Sequence, residues 1–228
     1  MRRPKRVPLE GLAPYLYPTD EPRNIVWSEL FGNDRPVEIE VGFGKGMFLL
    51  NAASTQPDVN FFGIEIERKY QLYAATRIAA RELRNVRVAS TDGKLLLEKH
   101  VADASVDVVH VYFPDPWWKR KHHKRRLFTF DFAQTCERIL KPLGKLSIAT
   151  DVEDYFQMVR ETMQPLHAMV EVPPPPPTEA KHDLDYLTNF ERKFRKQGKP
   201  IWRVAYQKTG SGTLVFVRNP DEGIHELQ

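Results

Sequence analysis

Cysteine is almost missing: Cys136 is the only one among 228 residues, so neither an internal disulfide nor a multi-cysteine metal site can form within the chain. It reads as a small buried hydrophobe in a helix. Long apolar runs are missing too, and none approaches the roughly 18 residues that a membrane span requires. The basic start, Met1 to Arg6, leads into no apolar stretch of the signal-peptide kind, so nothing directs the chain out of the cytoplasm. Internal repeats are lacking. Hydrophobic residues at 41%, aromatics at 11% and charged residues at 28% exclude a fully disordered or fibrous chain and predict an ordinary globular protein. The length suffices for one large α/β domain or two small ones.

Positive charge is present in modest excess, +4, but it is not spread evenly. Lys119 to Arg126 (KRKHHKRR) holds six of the 34 lysines and arginines and no acid, which leaves 28 bases against 30 acids elsewhere. Six like charges in eight residues repel one another, and an anionic partner is a reason to keep them together. Phosphate backbone is the leading candidate; a merely solvated loop is the plainer reading of the same composition.

Apolar periodicity divides the chain into alternating strand and helix segments. Residues 1–35 read as a flexible basic N-terminal arm and lead-in, with a short helix or turn around Trp27, and residues 36–228 as a single domain. Strands are predicted at Val37–Val41, Asn60–Ile64, Val86–Ala89, Val106–Phe113 and Lys145–Ala149. Between them the pattern predicts helices at Met47–Ala53, Arg68–Arg84, Lys94–His100, Phe130–Leu140 and Glu153–Met163. Five prolines, Pro173–Pro177, form a stiff connector. Beyond it Tyr186–Lys196 is helix-prone, and Ile201–Gln207 with Thr213–Val217 flank a KTGSG turn, which predicts an antiparallel hairpin. The expected class is α/β, a doubly wound, mostly parallel seven-stranded sheet closed by that hairpin. In such sheets ligands bind beyond the carboxyl ends of the strands.

The first of those ends carries Glu40-x-Gly42-x-Gly44-x-Gly46, where glycine lets the backbone turn sharply and approach a ligand. The dinucleotide fingerprint would need glycine at position 47, which is Met47, so a cofactor without pyrophosphate fits better. Glu65, 19 residues past Gly46 at the end of the second strand, is placed to accept from ribose hydroxyls, and Glu40 to face a cationic group. This arrangement resembles the class I S-adenosylmethionine-dependent methyltransferases. On that resemblance Asp92 falls where the superfamily often puts a polar residue near the adenine amino group. An N-cap for the helix from Lys94 is an equal and compatible reading of Asp92.

The most informative stretch is Phe113-Pro114-Asp115-Pro116-Trp117-Trp118-Lys119, which runs straight into the basic cluster. Two prolines fix the backbone around Asp115 and hold its carboxylate on a stiff turn. The segment FPDPWWKRKHHKRRL is similar to the defining motif of the bacterial tRNA (guanine-N7-)-methyltransferases, the TrmB type. The likeness extends through EVGFGKG at Glu40 to Gly46, GIEI around Glu65, ATD at Asp151 and TNFE at Thr188 to Glu191. It implies a Rossmann-like class I methyltransferase fold and S-adenosylmethionine as cofactor with S-adenosylhomocysteine as product; no metal is expected, since His122 and His123 have no cysteine or further histidine at ligand spacing. The methyl acceptor it implies is N7 of the variable-loop guanine, position 46, of tRNA. It implies cofactor contacts from Glu40, Gly42, Gly44, Gly46, Glu65, Asp92 and Asp115, with Asp115 as the catalytic residue. Substrate contacts would come from Lys119, Asp151, Thr188, Asn189, Phe190 and Glu191, and RNA contacts from Lys121, His122, His123, Lys124, Arg125 and Arg126. Two departures stand out: Trp118 occupies a place where the family more often has Pro or His, and Gly93 one where Ala is usual.

The residues support the same chemistry by themselves. Guanine N7 carries a lone pair and no proton, so attack on a sulfonium methyl needs alignment and charge stabilisation more than a strong base. Asp115 is expected to orient the guanine and offset its developing positive charge, and Lys119 to steady ribose or phosphate. One of Trp117 and Trp118 is expected to meet RNA and the other to anchor the turn. Asp151 and the Thr188 to Glu191 stretch also read as helix caps. A class I methyltransferase acting on another RNA, a protein or a small metabolite is the competing enzyme. The expected partner is tRNA, with no membrane and no obligatory protein partner, for a monomer or homodimer.

Overall fold

The computed structural model describes residues 9–20, 23–117, 119–176 and 188–210. Its centre is a seven-stranded sheet of β1 (Val37–Val41), β2 (Asn60–Glu65), β3 (Val86–Ser90), β4 (Val106–Tyr112), β5 (Leu140–Thr150), β6 (Met169–Val172) and β7 (Trp202–Lys208), in the order β3-β2-β1-β4-β5-β7-β6. The first five run parallel, and β7 lies antiparallel between β5 and β6. Two short helices, α1 (Leu9–Leu12) and α2 (Trp27–Phe31), precede the sheet. The crossovers are α3 (Met47–Thr55), α4 (Arg68–Ala79), α5 (Gly93–His100), α6 (Phe130–Ile139) and α7 (Glu153–Met163), and α8 (Asn189–Lys196) comes before the last strand.

Buried β-strands of apolar residues need cover on both faces, and the crossovers provide it. On one face Ile39, Val109, Val111, Leu146 and Ile148 meet Leu97, Phe132, Cys136, Tyr155 and Val159 of α5, α6 and α7. On the other, Phe61, Val86 and Val88 meet Phe48 and Leu49 of α3 and Ala74, Ala75 and Ile78 of α4. The sole cysteine is a buried core residue, as its setting in the sequence predicts. Strand order reverses between β1 and β4, which opens a crevice at their carboxyl ends.

Several expectations need correction. The helix expected over Arg68–Arg84 stops at Ala79, because Glu82 adopts φ of 54° and Leu83 N–H reaches back to Ile78 O at 3.3 Å, a Schellman-type ending. The described part of the 1–35 lead-in is packed rather than a loose arm: Leu12 and Ile25 are buried, Leu16 pairs with Val88, and Ile25 pairs with Val101. The antiparallel neighbour of β7 is Met169–Val172, which reads as no element in the sequence; the expected hairpin strand Thr213–Val217 lies outside the described residues. No helix among the described residues is long and apolar enough to cross a membrane.

Candidate functional site

The glycine loop between β1 and α3 is the first wall of the crevice. Gly42, Gly44 and Gly46 have φ of 83°, 52° and 68°, in the left-handed region that side chains disfavour. A Cβ on Gly42 or Gly44 would meet nothing within 4 Å, so both face open space. Gly46 differs: its Cβ would lie 2.8 Å from Ala74 Cβ, which makes it the point where α4 packs against the start of α3. Glu65 ties the loop down, its Oε2 accepting from Gly44 N–H at 2.9 Å and its Oε1 from Glu67 N–H at 3.1 Å. A carboxylate accepts about four hydrogen bonds, so capacity for hydroxyls is left over.

Glu40 sits on β1 just before the loop, 3% exposed, and its Oε2 has no hydrogen-bond partner. Burial pushes its carboxyl up to about 8, and the charge of Glu65 adds to the rise. An orphaned buried carboxyl beside an open loop suits a cationic ligand group, which would supply the missing partner. Asp92 is exposed and caps α5, its Oδ1 accepting from Lys94 N–H at 2.9 Å and Leu95 N–H at 3.4 Å. Gly93 beside it is a close approach, since a Cβ there would meet Val41 Cγ1 at 2.7 Å.

The second wall is the turn leaving β4, which the register sets next to the glycine loop because Glu40 pairs with His110. Phe113 and Trp117 bracket Pro114-Asp115-Pro116 with φ of 52° and 44°, unusual for non-glycine residues and together a local store of strain. Phe113 N–H donates to Ala149 O at 2.7 Å, fixing the turn to the end of β5. Asp115 is exposed there. Burial pushes the nearby Tyr155 hydroxyl up to about 12, and the Asp115 carboxylate adds to that rise.

The basic cluster folds as a 3₁₀ turn over Arg120–Arg125, with Lys119, Lys121, Lys124 and Arg125 exposed. Trp117 is its pillar: the His122 ring meets it edge-on at 5.7 Å between centroids, and the Arg125 guanidinium lies 5.1 Å from its centroid. Arg126 departs from the expected RNA set in pointing inward, its Nε–H donating to Pro116 O at 2.8 Å while its guanidinium covers Tyr155. It braces the Asp115 turn. Trp118 and the side chain of His123 lie outside the described residues.

The Thr188 to Glu191 stretch reaches the same place through aromatic packing. Phe190, 51% exposed, stacks on Phe113 at 5.9 Å and on Phe194 at 6.2 Å. Thr188 does cap α8, accepting from Glu191 N–H at 3.0 Å. Glu191 itself is 2% exposed, and its Oε1 accepts from Arg203 Nη2 at 2.6 Å with Arg195 Nη1 at 3.5 Å. Asn189 Oδ1 accepts from Arg192 Nη2 at 3.3 Å. Asp151 follows β5, half-buried, but it is not the cap the sequence allows: Val152 holds that position in α7 with no side-chain bond. The described structure thus gathers the glycine loop, the Asp115 turn, Asp151 and the start of α8 at one end of the sheet.

Comparison with known proteins gives the family. Residues 34–204 match the family model described as "Putative methyltransferase". The tRNA (guanine-N(7)-)-methyltransferase of Rhodopirellula baltica is 45% identical over 197 residues, covering 84% of this chain and 73% of the relative. The chain belongs to the tRNA (guanine-N7-)-methyltransferase family. The enzyme of that name from Streptococcus pyogenes is 35% identical over 189 residues, covering 78% of this chain and 84% of its own. Among solved structures, the 16S rRNA (adenine(1408)-N(1))-methyltransferase from Catenulisporales acidiphilia, with cosubstrate SAM, aligns at a TM-score of 0.56 with 12% identity over 83% of this chain and 92% of that one. The aminoglycoside resistance methyltransferase NpmB1 aligns at 0.52 with 18% identity, over 82% and 98%. These two likenesses establish the class I methyltransferase fold.

In this member of the family a buried polar chain underlies the site, and no motif in the sequence announces it. Glu38 Oε2 lies 2.8 Å from His110 Nε2, His110 Nδ1 lies 2.8 Å from the Tyr112 hydroxyl, and that hydroxyl donates to Ser147 Oγ at 3.5 Å. The chain crosses β1, β4 and β5 on the face that also carries Glu40. Burial raises the Tyr112 hydroxyl far above its ordinary range. The signal available in the sequence is alternation: Glu38 with Glu40, and His110 with Tyr112, two apart on paired strands. Arg203, the partner of Glu191, is likewise invisible until β7 is placed beside β5.

Proposed function

We propose that this chain transfers a methyl group from S-adenosylmethionine to N7 of a guanine in tRNA, and that the guanine is the one in the variable loop, position 46. The observation that carries the reading is the meeting of the open glycine loop with its orphaned Glu40 carboxyl, the stiff Asp115 turn, and the exposed cations that follow it. The donor set suits the cofactor: Glu40 takes its cationic amine end, Gly42 and Gly44 leave it backbone-only walls, Glu65 accepts from its ribose, and Asp92 lies toward the adenine. When bound, S-adenosylmethionine supplies an electrophilic methyl on sulfur.

The chain's own part is orientation and charge. Guanine N7 has no proton to remove, so no residue needs to act as a strong base. Asp115, on a turn fixed by two prolines, Arg126 and the Phe113 bond to β5, accepts from the guanine and offsets the positive charge it gains on methylation. Lys119 steadies the nucleotide's ribose or phosphate, Asp151 contacts the substrate nucleotide, and Thr188 to Glu191 complete its surroundings. Lys121, Lys124 and Arg125 attract the backbone. A guanine stacked inside a folded RNA is extruded or loosened before it reaches this turn. We take residues 36–228 as one methyltransferase domain acting in the cytoplasm, as a monomer or homodimer.

Labelled methyl transfer to an unmodified tRNA transcript tests this, with a second transcript in which that guanine is adenine. Label is expected in the first only, and equal labelling of both defeats the position. Asp115→Asn is expected to lower turnover about 100-fold or more while cofactor affinity by calorimetry stays near wild type; undiminished turnover removes Asp115 from its role.

A further inference from the structure

The basic cluster at Lys119–Arg126 is not the chain's only concentration of positive charge. Residues 188–208 hold seven lysines and arginines and a single acid, Glu191, and that acid is buried against Arg203 and Arg195. Outside these two segments the chain has 21 bases and 29 acids, so the body is net acidic and the two segments stand apart from it. The first is anchored on the face that α5 and α7 cover, where Lys94 Nζ donates to Arg126 O at 3.1 Å and the Arg126 guanidinium covers Tyr155. The second is brought to the other face, that of α3 and α4, by Phe194 packing with Phe113, Ala149 and Tyr112, the last of which also meets Phe48 of α3.

There it meets further cations from α4 and the turn that ends it. Arg77 Nη1–H donates to Lys45 O of the glycine loop at 3.0 Å, and Arg81, in the turn that ends α4, donates through Nη1–H to Arg77 O at 3.3 Å, so both guanidinium groups are held at the end of that helix. Arg192 of α8 and Arg81 both lie near enough to Arg77 to act on it as like charges. Lys196 is one helical turn beyond Arg192, on the same side of α8. Lys45, Arg81 and Lys196 are exposed. Arg77 and Arg81 brace the backbone and Arg192 holds Asn189, yet as like charges they repel one another, a cost that an anionic ligand offsets.

We propose that Arg77, Arg81, Arg192 and Lys196, with Lys45, form a second docking surface for the phosphate backbone of the substrate tRNA, on the opposite side of the site from the Lys119–Arg126 turn. The inference rests on the reading of this chain as a tRNA methyltransferase and adds to it a two-sided grip. The acidic body repels the backbone elsewhere, so the two basic surfaces set the orientation of the RNA and leave the guanine between them. Each phosphate neutralised releases counterions, and the number engaged is read from the slope of log Kd against log salt.

The test is equilibrium binding of an unmodified tRNA transcript to the full chain across a salt series, for wild type and for Arg81→Ala/Arg192→Ala/Lys196→Ala. The triple variant is expected to bind roughly 10- to 100-fold more weakly near physiological salt, with a slope shallower by about two to three. Its KM for tRNA rises while kcat and cofactor affinity hold, and the held cofactor affinity reports an intact fold. Lys99→Ala/Lys145→Ala, which removes cations from the opposite end of the sheet, is expected to leave both Kd and slope unchanged. A triple variant with wild-type Kd and slope overturns the second surface while leaving the methyltransferase reading intact. Wild-type protein that neither binds nor methylates the transcript overturns that reading instead. Equal weakening by the triple and the Lys99/Lys145 variants overturns the proposal too, because net charge rather than place would then govern binding.

Discussion

A carboxyl group with one unpartnered buried oxygen, as in Glu40, opposes the free fold and favours the loaded one. Held up at about 8 against an ordinary 4.5, it is protonated in the folded chain near neutral pH and ionised in the unfolded chain. The fold therefore binds the extra proton, and Glu40 subtracts stability progressively as pH rises from about 4.5 toward 8. Glu40→Gln keeps the shape without the ionisation. It is expected to raise the thermal midpoint little near pH 5 and by the equivalent of about 2–4 kcal/mol near pH 8.5, measured by calorimetric scans. The same change is expected to weaken cofactor binding at least about tenfold, since a neutral amide cannot answer a cation. A midpoint difference that does not grow with pH would falsify the assignment of the raised group.

Within the elements, the three glycines of one loop divide their work, and substitution separates the parts. Gly46→Ala forces a Cβ to 2.8 Å from Ala74 Cβ at a φ of 68°, and is expected to cost about 1–3 kcal/mol in denaturant unfolding. Gly44→Ala carries a left-handed strain of similar origin but projects into open space, so its larger effect is expected on cofactor affinity by calorimetry. If the two variants lose stability and affinity in equal proportion, the division is wrong. The sequence makes this loop legible because strand, glycines and helix follow one another locally. It also makes α7 legible to the residue, Glu153–Met163. It misleads at Arg81-Glu82-Leu83-Arg84, where good helix formers continue past Ala79 and only the left-handed Glu82 ends the helix. The four residues of β6 are too short a run to read as a strand before the prolines. The Glu38–His110–Tyr112–Ser147 chain and the Glu191–Arg203 pair depend on register between distant strands, which no local pattern encodes.

Across the whole molecule, charge is segregated by place as well as by amount. Binding of tRNA is expected to weaken steeply and log-linearly with salt, while the affinity for S-adenosylmethionine, held largely by buried and backbone groups, changes little over the same range. Titrations of both ligands from about 0.05 to 0.5 M salt check this, and parallel slopes would point to a small-molecule acceptor instead of RNA. The architecture adds a constraint in time. Among the described residues β6 pairs with β7 alone, β5 has β7 as its second neighbour, and Arg203 on β7 joins Arg195 in answering the buried charge of Glu191. A nascent chain still on the ribosome before Lys208 emerges has an open strand edge on β5, a β6 without this neighbour, and a Glu191 that lacks its shorter ion pair. β7, inserted between two strands made before it, is the keystone, and it must be delivered before this side of the sheet can close and the enzyme can turn over.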